Sequence, residues 1–255
     1  MIIYEQPLDE RIRLFLRMEN LFQRFDYYID SPSQGNTQTA LELLLELNEL
    51  SSRVDVKSAI LKIIDHQTTA IRTNEGASVM MDTSEQEVIL KVLSEKTKEL
   101  YSLRGQLGQH MKNNGFLNLI KQRMSVSGGV NGFDVPIFHH WMNQPAETRA
   151  ESLQEWMEPY QKSREAIDIA MGLIRNSAEL EDHIAADGFY QATLGGRHKV
   201  YQLLRVTLAR SSSYYPEISA GKQRFSIRFV SAEMHEGRGK QVIEDIPFKL
   251  NMCGF

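Results

Sequence analysis

The residues with the clearest chemical potential lie in Lys222-Gln-Arg-Phe-Ser-Ile-Arg-Phe229. At a strand's period of two, Phe225, Ile227 and Phe229 take one face, and Lys222, Arg224, Ser226 and Arg228 take the other. The apolar face needs cover from the rest of the domain, so the cationic face is expected to look outward. Side chains along one strand face repeat about every 6.6 Å, close enough for like charges to repel. No acid within the segment relieves them. Such a row is either a solvated strand surface or a place to hold an anion. A second set of cations, Arg13, Arg17 and Arg24, follows a polar stripe on a helix near the N-terminus, again either solvated surface or contact surface. The recurrence of unbalanced cations favours anion recognition by a protein that is not an enzyme.

Turnover would need a nucleophile, acid or base in a concave site. The chain has no Gly-x-Ser-x-Gly elbow, no His-Glu-x-x-His and no paired-cysteine motif. Its one cysteine, Cys253, is expected to be too near the end of the sequence to hold a thiolate rigidly. His139 and His140 are adjacent, and neighbours on a helix point in different directions, so they make no two-ligand metal face. They read as packing or hydrogen-bonding histidines, or as a contact to a partner. Gly128, Gly129 and Gly132 fit neither phosphate-binding pattern, which leaves a turn that redirects the chain. No metal and no cofactor are expected.

The 255 residues allow one large domain or two modest ones. A net charge of −4 argues against a general nucleic-acid binder and leaves room for a local basic patch. A single cysteine fits a reducing compartment. No basic segment followed by an apolar run resembles a signal peptide, and no stretch approaches the roughly 20 apolar residues that span a bilayer. A cytoplasmic protein is expected.

The elements that must position these residues follow from periodicity. Met1 to Tyr4 is apolar enough for an added edge strand. Pro7 sits where helices begin, and Leu8, Ile12, Phe15, Met18, Phe22, Phe25 and Ile29 make a helical stripe. Ser31 to Asn36 reads as a loop, and Thr39 with Glu42 as a capping box for the next helix. Arg53 falls in a short turn, and Asp55 caps the helix after it. Residues 73–82 read as a mobile loop, and Thr83 with Gln86 opens a helix whose Val88, Ile89, Val92, Leu93, Leu100 and Leu103 face a neighbour or a second subunit. Further helices are expected after Asn114-Gly115, from Pro136, from Pro145 and from Ser163. Beyond about residue 185, short aromatic and β-branched runs alternate with turns at Gly195-Gly196, Ser211 to Ser213, Gly221 and Gly237 to Gly239. The reading is α+β, with a mostly α-helical domain over 1–184, to whose sheet neighbour residues 1–4 lend a strand, and a small antiparallel β domain over 185–255.

These segments together resemble the ZapD family, FtsZ-associated cell-division proteins of the bacterial cytoplasm. The resemblance is carried by Pro7-Leu8-x-Glu10, Arg13-x-x-x-Arg17-x-Glu19 and Lys121-Gln-Arg123-x-Ser125-x-x-Gly128-Gly129. Phe133-Asp134-Val-Pro136 with His139-x-Trp141, and Gly188-Phe189-Tyr190-Gln191, continue it. It is closest at Tyr215-Pro-Glu-Ile-Ser219 running into Lys222-x-Arg224-Phe225-x-Ile227-Arg228-Phe229, and loosest at residues 31–50, 192–200 and 232–243. Where the family often has a lone histidine before the tryptophan, this chain has two, so the choice between His139 and His140 stays open.

The resemblance implies a helical domain plus a β domain, a homodimer, and binding to the C-terminal tail of FtsZ that cross-links and bundles its filaments at the division site. It implies that Arg13, Arg17, Arg53, Arg123, His139, Lys222, Arg224 and Arg228 make that contact, in a basic cleft between the domains. On this expectation the acidic-hydrophobic tail lies between the first helix and the 222–229 strand. The competing expectations are a nucleic-acid module, using the same cations with Phe225, Tyr214 and Tyr215 as stacking platforms, and an anion-binding enzyme with substrate phosphate near Gly128 and Gly129.

Overall fold

The computed structural model describes residues 1–30, 33–73, 81–124, 126, 129–195, 200–231 and 239–255. The expected loop over 73–82 therefore lies mostly outside the described residues, as do Ser31, Pro32, Ser125, Gly128, Gly196 and Gly237 of the expected turns. The fold is α+β: helices occupy most of the chain up to Arg175, and antiparallel strands follow from Glu181. By packing, the chain divides into two compact units. One comprises Met1–Arg13, Asp65–Lys91 and Ala170–Phe255, and the other Leu14–Ile64 and Val92–Ile169.

Among the described residues the first unit carries the strands: β1 Ile2–Pro7, β2 Glu181–Ala185, β3 Phe189–Thr193, β4 Leu203–Leu208, β5 Tyr214–Ala220, β6 Arg224–Ser231 and β7 Ile246–Cys253. They form a four-stranded sheet in the order β1-β4-β7-β2 and a three-stranded sheet in the order β3-β6-β5. Both sheets feed one core. Leu204, Val206 and Leu208 of β4 and Ile246, Phe248 and Leu250 of β7 share it with Phe225, Ile227 and Phe229 of β6. The rings of Phe229 and Phe248 lie 5.2 Å apart, which ties one sheet to the other. The N-terminal strand forms as expected and pairs with β4 from Ile2 opposite Leu208 to Pro7 opposite Leu203. Pro7 thus ends a strand instead of opening a helix. It can do so because β1 is an edge strand, where a missing N–H leaves no ladder bond unmade.

β2 has no counterpart in the sequence reading. Its residues Glu181, Asp182 and His183 fall within the expected helical domain, and pairing with β7, from Glu181 opposite Leu250 to Ala185 opposite Ile246, makes them a strand. Cys253 also departs from expectation: it lies within β7, fully buried, and its thiol faces the Arg175 carbonyl at 3.8 Å.

The helices are α1 Glu10–Ile29, α2 Gln34–Arg53, α3 Val56–Thr73, α4 Thr83–Ser102, α5 Gln109–Lys112, α6 Gly115–Met124, α7 Pro136–Met142, α8 Ala146–Met157 and, after a 3-10 turn at Glu158–Tyr160, α9 Gln161–Arg175. α1 starts on Asp9, whose carboxylate accepts the Arg11 amide at 2.7 Å. α2 starts on Ser33, whose hydroxyl accepts the Asn36 amide at 3.2 Å, so Gln34 to Asn36 are helix and Thr39 is interior. Asp55 caps α3 as expected through the Ser58 amide at 3.0 Å. Arg53 is the last residue of α2 rather than part of a turn. The capping box of α4 is Asp82 with Glu85, one residue before the expected pair: the Glu85 amide donates to Asp82 at 2.8 Å, and the Asp82 amide to Glu85 at 3.1 Å. Along α4, Leu93 and Leu100 are buried while Val88 is exposed. Ser163 caps nothing; it is buried inside α9.

In the helical unit α2 packs against α8. The buried Arg149 of α8 fastens this packing, with Nε donating to Thr37 Oγ1 on α2 at 3.2 Å and Nη1 to the Met142 carbonyl at the end of α7 at 3.3 Å. A cluster of Phe116, Trp141 and Trp156, with ring centroids 5.5–5.7 Å apart, holds α6, α7 and α8 together.

Candidate functional site

β6 is the central strand of its sheet, and its alternation is the one the sequence predicts. Phe225, Ile227 and Phe229 are at most 1% exposed, while Arg224 and Arg228 stand in solvent on the opposite face. Register with the flanking strands fixes what each cation meets. Arg228 lies between Phe189 of β3 and Glu217 of β5. Ser226 lies between Gln191 and Ser219, and Arg224 lies beside Thr193. Directly opposed side chains on a sheet are about 4.5–5.5 Å apart at Cβ, so Glu217 offsets part of the field of Arg228 while the row of Arg224 holds no acid. Among the described residues neither guanidinium is in an ion pair.

The β5–β6 turn carries Lys222 at its exposed tip and is closed by the Gly221 amide donating to the Arg224 carbonyl at 2.9 Å. Next to this turn lies a shallow depression of about 400 Å³, lined by Gln191, Ser219, Ala220, Gly221, Arg224, Phe225 and Ser226. Its walls are polar and its single charge is positive, so it can take a carboxylate. Phe189, 40% exposed, adds an apolar surface beside Arg228. From sequence Phe189 reads as part of an aromatic run with no role of its own. Its alternation with Tyr190 and Ala192 puts it on the outer face, but only the register puts it beside Arg228.

The other expected site residues lie on helices. Arg13 and Arg17 are one turn apart on α1; Arg13 is half-exposed and pairs with Glu10 at 3.2 Å, and Arg17 is exposed. Arg53, exposed at the end of α2, pairs with Glu49. Arg123 is exposed in the last turn of α6, where the carbonyl end of the helix favours a cation. His139 is exposed on α7, and its ring rests on Gly132: a Cβ at that glycine would lie 2.8 Å from Nδ1. His140 turns elsewhere, with Nε2 3.0 Å from the Gln144 amide nitrogen. Gly132 therefore gives His139 a fixed seat that His140 lacks.

One expectation about the face is corrected. Phe225 is 1% exposed and cannot serve as a platform for a nucleobase. Tyr214 is tied through its hydroxyl to Glu244, which pushes that phenol's pKa up. Among the described residues no group of three or more His, Cys, Asp or Glu is placed to hold a metal ion, and no helix is long and apolar enough to cross a membrane.

Residues 16–228 match the protein family described as ZapD: Cell division protein. That stretch includes Arg17, Arg53, Arg123, His139, Lys222 and Arg224 and ends on Arg228. The chain is similar to the cell division protein ZapD of Chromobacterium violaceum, with 34% identity over 256 residues and 100% of both chains covered. It is also similar to the proteins of the same name from Nitrosomonas eutropha (35% identity, 99% of each chain) and Ralstonia pickettii (36% identity, 100% of each chain).

Proposed function

Because the chain belongs to the ZapD family of cell division proteins, we propose that it binds the acidic-hydrophobic C-terminal tail of FtsZ and, as a homodimer, cross-links FtsZ filaments at mid-cell in the bacterial cytoplasm. The protein is a binder and not an enzyme on this reading. The tail contact is made by Arg13, Arg17, Arg53, Arg123, His139, Lys222, Arg224 and Arg228. The observation that carries the proposal is the outward row of Arg224 and Arg228 on a strand whose other face is locked in the core, with Phe189 exposed beside it.

Arginine suits the task because its planar fork grips a carboxylate through two hydrogen bonds. Each exposed pair contributes only about 0.2–1 kcal/mol, so several are needed together with an apolar anchor. A micromolar site corresponds to about −8 kcal/mol, more than a few such contacts and one buried side chain supply, so most of the eight residues must engage together. Phe189 is the anchor on the β face. Two sites per dimer and many tails per filament then add avidity of roughly 10²- to 10⁴-fold, enough to bundle filaments without nucleotide chemistry by this protein.

The deciding experiment is co-sedimentation with full-length FtsZ against FtsZ lacking its tail. Binding to the first and not the second is expected. Equal binding to both removes the tail from the mechanism. Arg224→Glu is expected to abolish binding of the isolated tail peptide while the circular dichroism spectrum and the dimer mass stay unchanged.

A further inference from the structure

The helical unit contains a second basic site, none of whose lining residues is among those assigned to the tail. A cavity of about 150 Å³ is walled by the Leu103–His110 segment, Lys57 of α3 and Pro159 and Ser163 from the region of α9's start. Its lining includes three basic side chains, Lys57, Arg104 and His110, and no carboxylate. Lys57 Nζ donates one hydrogen to the Leu103 carbonyl at 2.9 Å, which leaves two. Arg104 is exposed, and among the described residues it is in no ion pair. His110 Nε2 lies 2.9 Å from the Trp156 carbonyl, which can only accept, so Nε2 carries a proton and Nδ1 is left over. Ser163 is 1% exposed, and its hydroxyl has no hydrogen-bond partner. A buried hydroxyl in that state is rare and calls for a ligand or a water.

We propose that this cavity binds a small oxyanion of the phosphate type, either free phosphate or the head of a phosphomonoester. Size and donor count select the class. The volume is well below the roughly 300 Å³ at which drug-sized pockets begin, which excludes a nucleotide inside the cavity. An ammonium, a guanidinium and a hydroxyl at the lining of one space suit a phosphate, whose oxygens spread around it in several directions. The segment's path supports the shape: Gly105 and Gly108 both adopt positive φ, 76° and 80°, and fold the chain tightly around the space. This inference does not rest on FtsZ binding.

The test is isothermal titration calorimetry of the full chain with inorganic phosphate and, separately, glycerol phosphate, each against chloride at matched ionic strength. Saturable one-site binding is expected, and the tighter of the two compounds identifies the source. Arg104→Gln is expected to weaken it about tenfold or more, the usual loss for a charge-assisted hydrogen bond. Ser163→Ala is expected to weaken it several-fold without lowering the melting temperature. Arg224→Gln serves as the control and leaves phosphate binding unchanged. No saturation with the wild-type chain means that the cavity holds water only and overturns the proposal. So does binding that survives Arg104→Gln and is lost in Arg224→Gln.

Discussion

Glu5 of β1 holds two guanidiniums at once, Arg175 Nε at 2.9 Å and Arg205 Nε at 3.0 Å. Burial by itself would raise the pKa of this carboxyl, but the hydrogen bonds and charges of the two arginines outweigh it, and the net shift is downward. A carboxylate whose folded pKa is depressed adds stability that is present above its unfolded pKa and disappears as pH falls through the folded value. Glu5→Gln should therefore lower the unfolding free energy near neutral pH by on the order of 2 kcal/mol, because two partly buried cations lose their counter-ion. In urea titrations the gap from wild type should close as pH drops from about 5 toward 3. A gap that stays constant would assign the effect to packing instead of charge. On the opposite sheet, the acid-free row of Arg224 and the Glu217 facing Arg228 rank the two cations. Arg224→Ala should weaken binding of a fluorescent FtsZ tail peptide more than Arg228→Ala, by anisotropy. Phe189→Ala should weaken it about tenfold, the loss of one modest apolar anchor, with the fold unaffected because the side chain is already half in water.

Elements show why some of this was legible in the sequence and some was not. The faces of β6 can be read directly, because alternation depends only on neighbours along the chain. The partners of those faces cannot: Phe189 and Glu217 reach Arg228 through register between strands that are far apart in sequence. β2 is the extreme case, a charged segment made into an edge strand by the tertiary pairing it finds on β7. Helix existence was readable from apolar stripes, whereas starts were misplaced at Thr39, Thr83 and Ser163. Several residues in each neighbourhood can cap, and the one chosen depends on where packing begins the helix. At α4 the reciprocal bonds of Asp82 and Glu85 identify the cap, so Asp82→Ala should cost about 1 kcal/mol by chemical denaturation. Thr83→Ala, the cap suggested by sequence spacing, should cost much less. At Gly108 the limit is steric: with φ at 80°, an added Cβ would lie 2.6 Å from the buried Tyr160 hydroxyl. Burial has already pushed the pKa of that phenol up to about 12. Gly108→Ala should therefore destabilise by roughly 2 kcal/mol or more, by the strain of a positive φ and the displaced hydroxyl together.

For the whole molecule, the governing contrast lies between a net charge of −4 and cations that stand outward on α1, α2, α6 and β6. An acidic body repels an acidic tail at long range, so the proposed binding requires short-range pairing with the local basic groups. Such pairs are exposed and weaken as salt shortens the screening length, from about 10 Å at 0.1 M to about 3 Å at 1 M. Co-sedimentation with FtsZ polymers should therefore fall steadily as salt is raised. Bundling should fail at lower salt than binding, because each cross-link requires two tails engaged at once, and its occupancy scales as the square of single-site occupancy. Light scattering for bundles and pelleting for bound protein, followed in one salt series, separate the two. If bundles persist after single-tail binding has been lost, an apolar contact between filaments or between protomers carries the assembly. If both signals ignore salt up to about 0.5 M, the cations are solvated surface and the tail is held by an apolar groove.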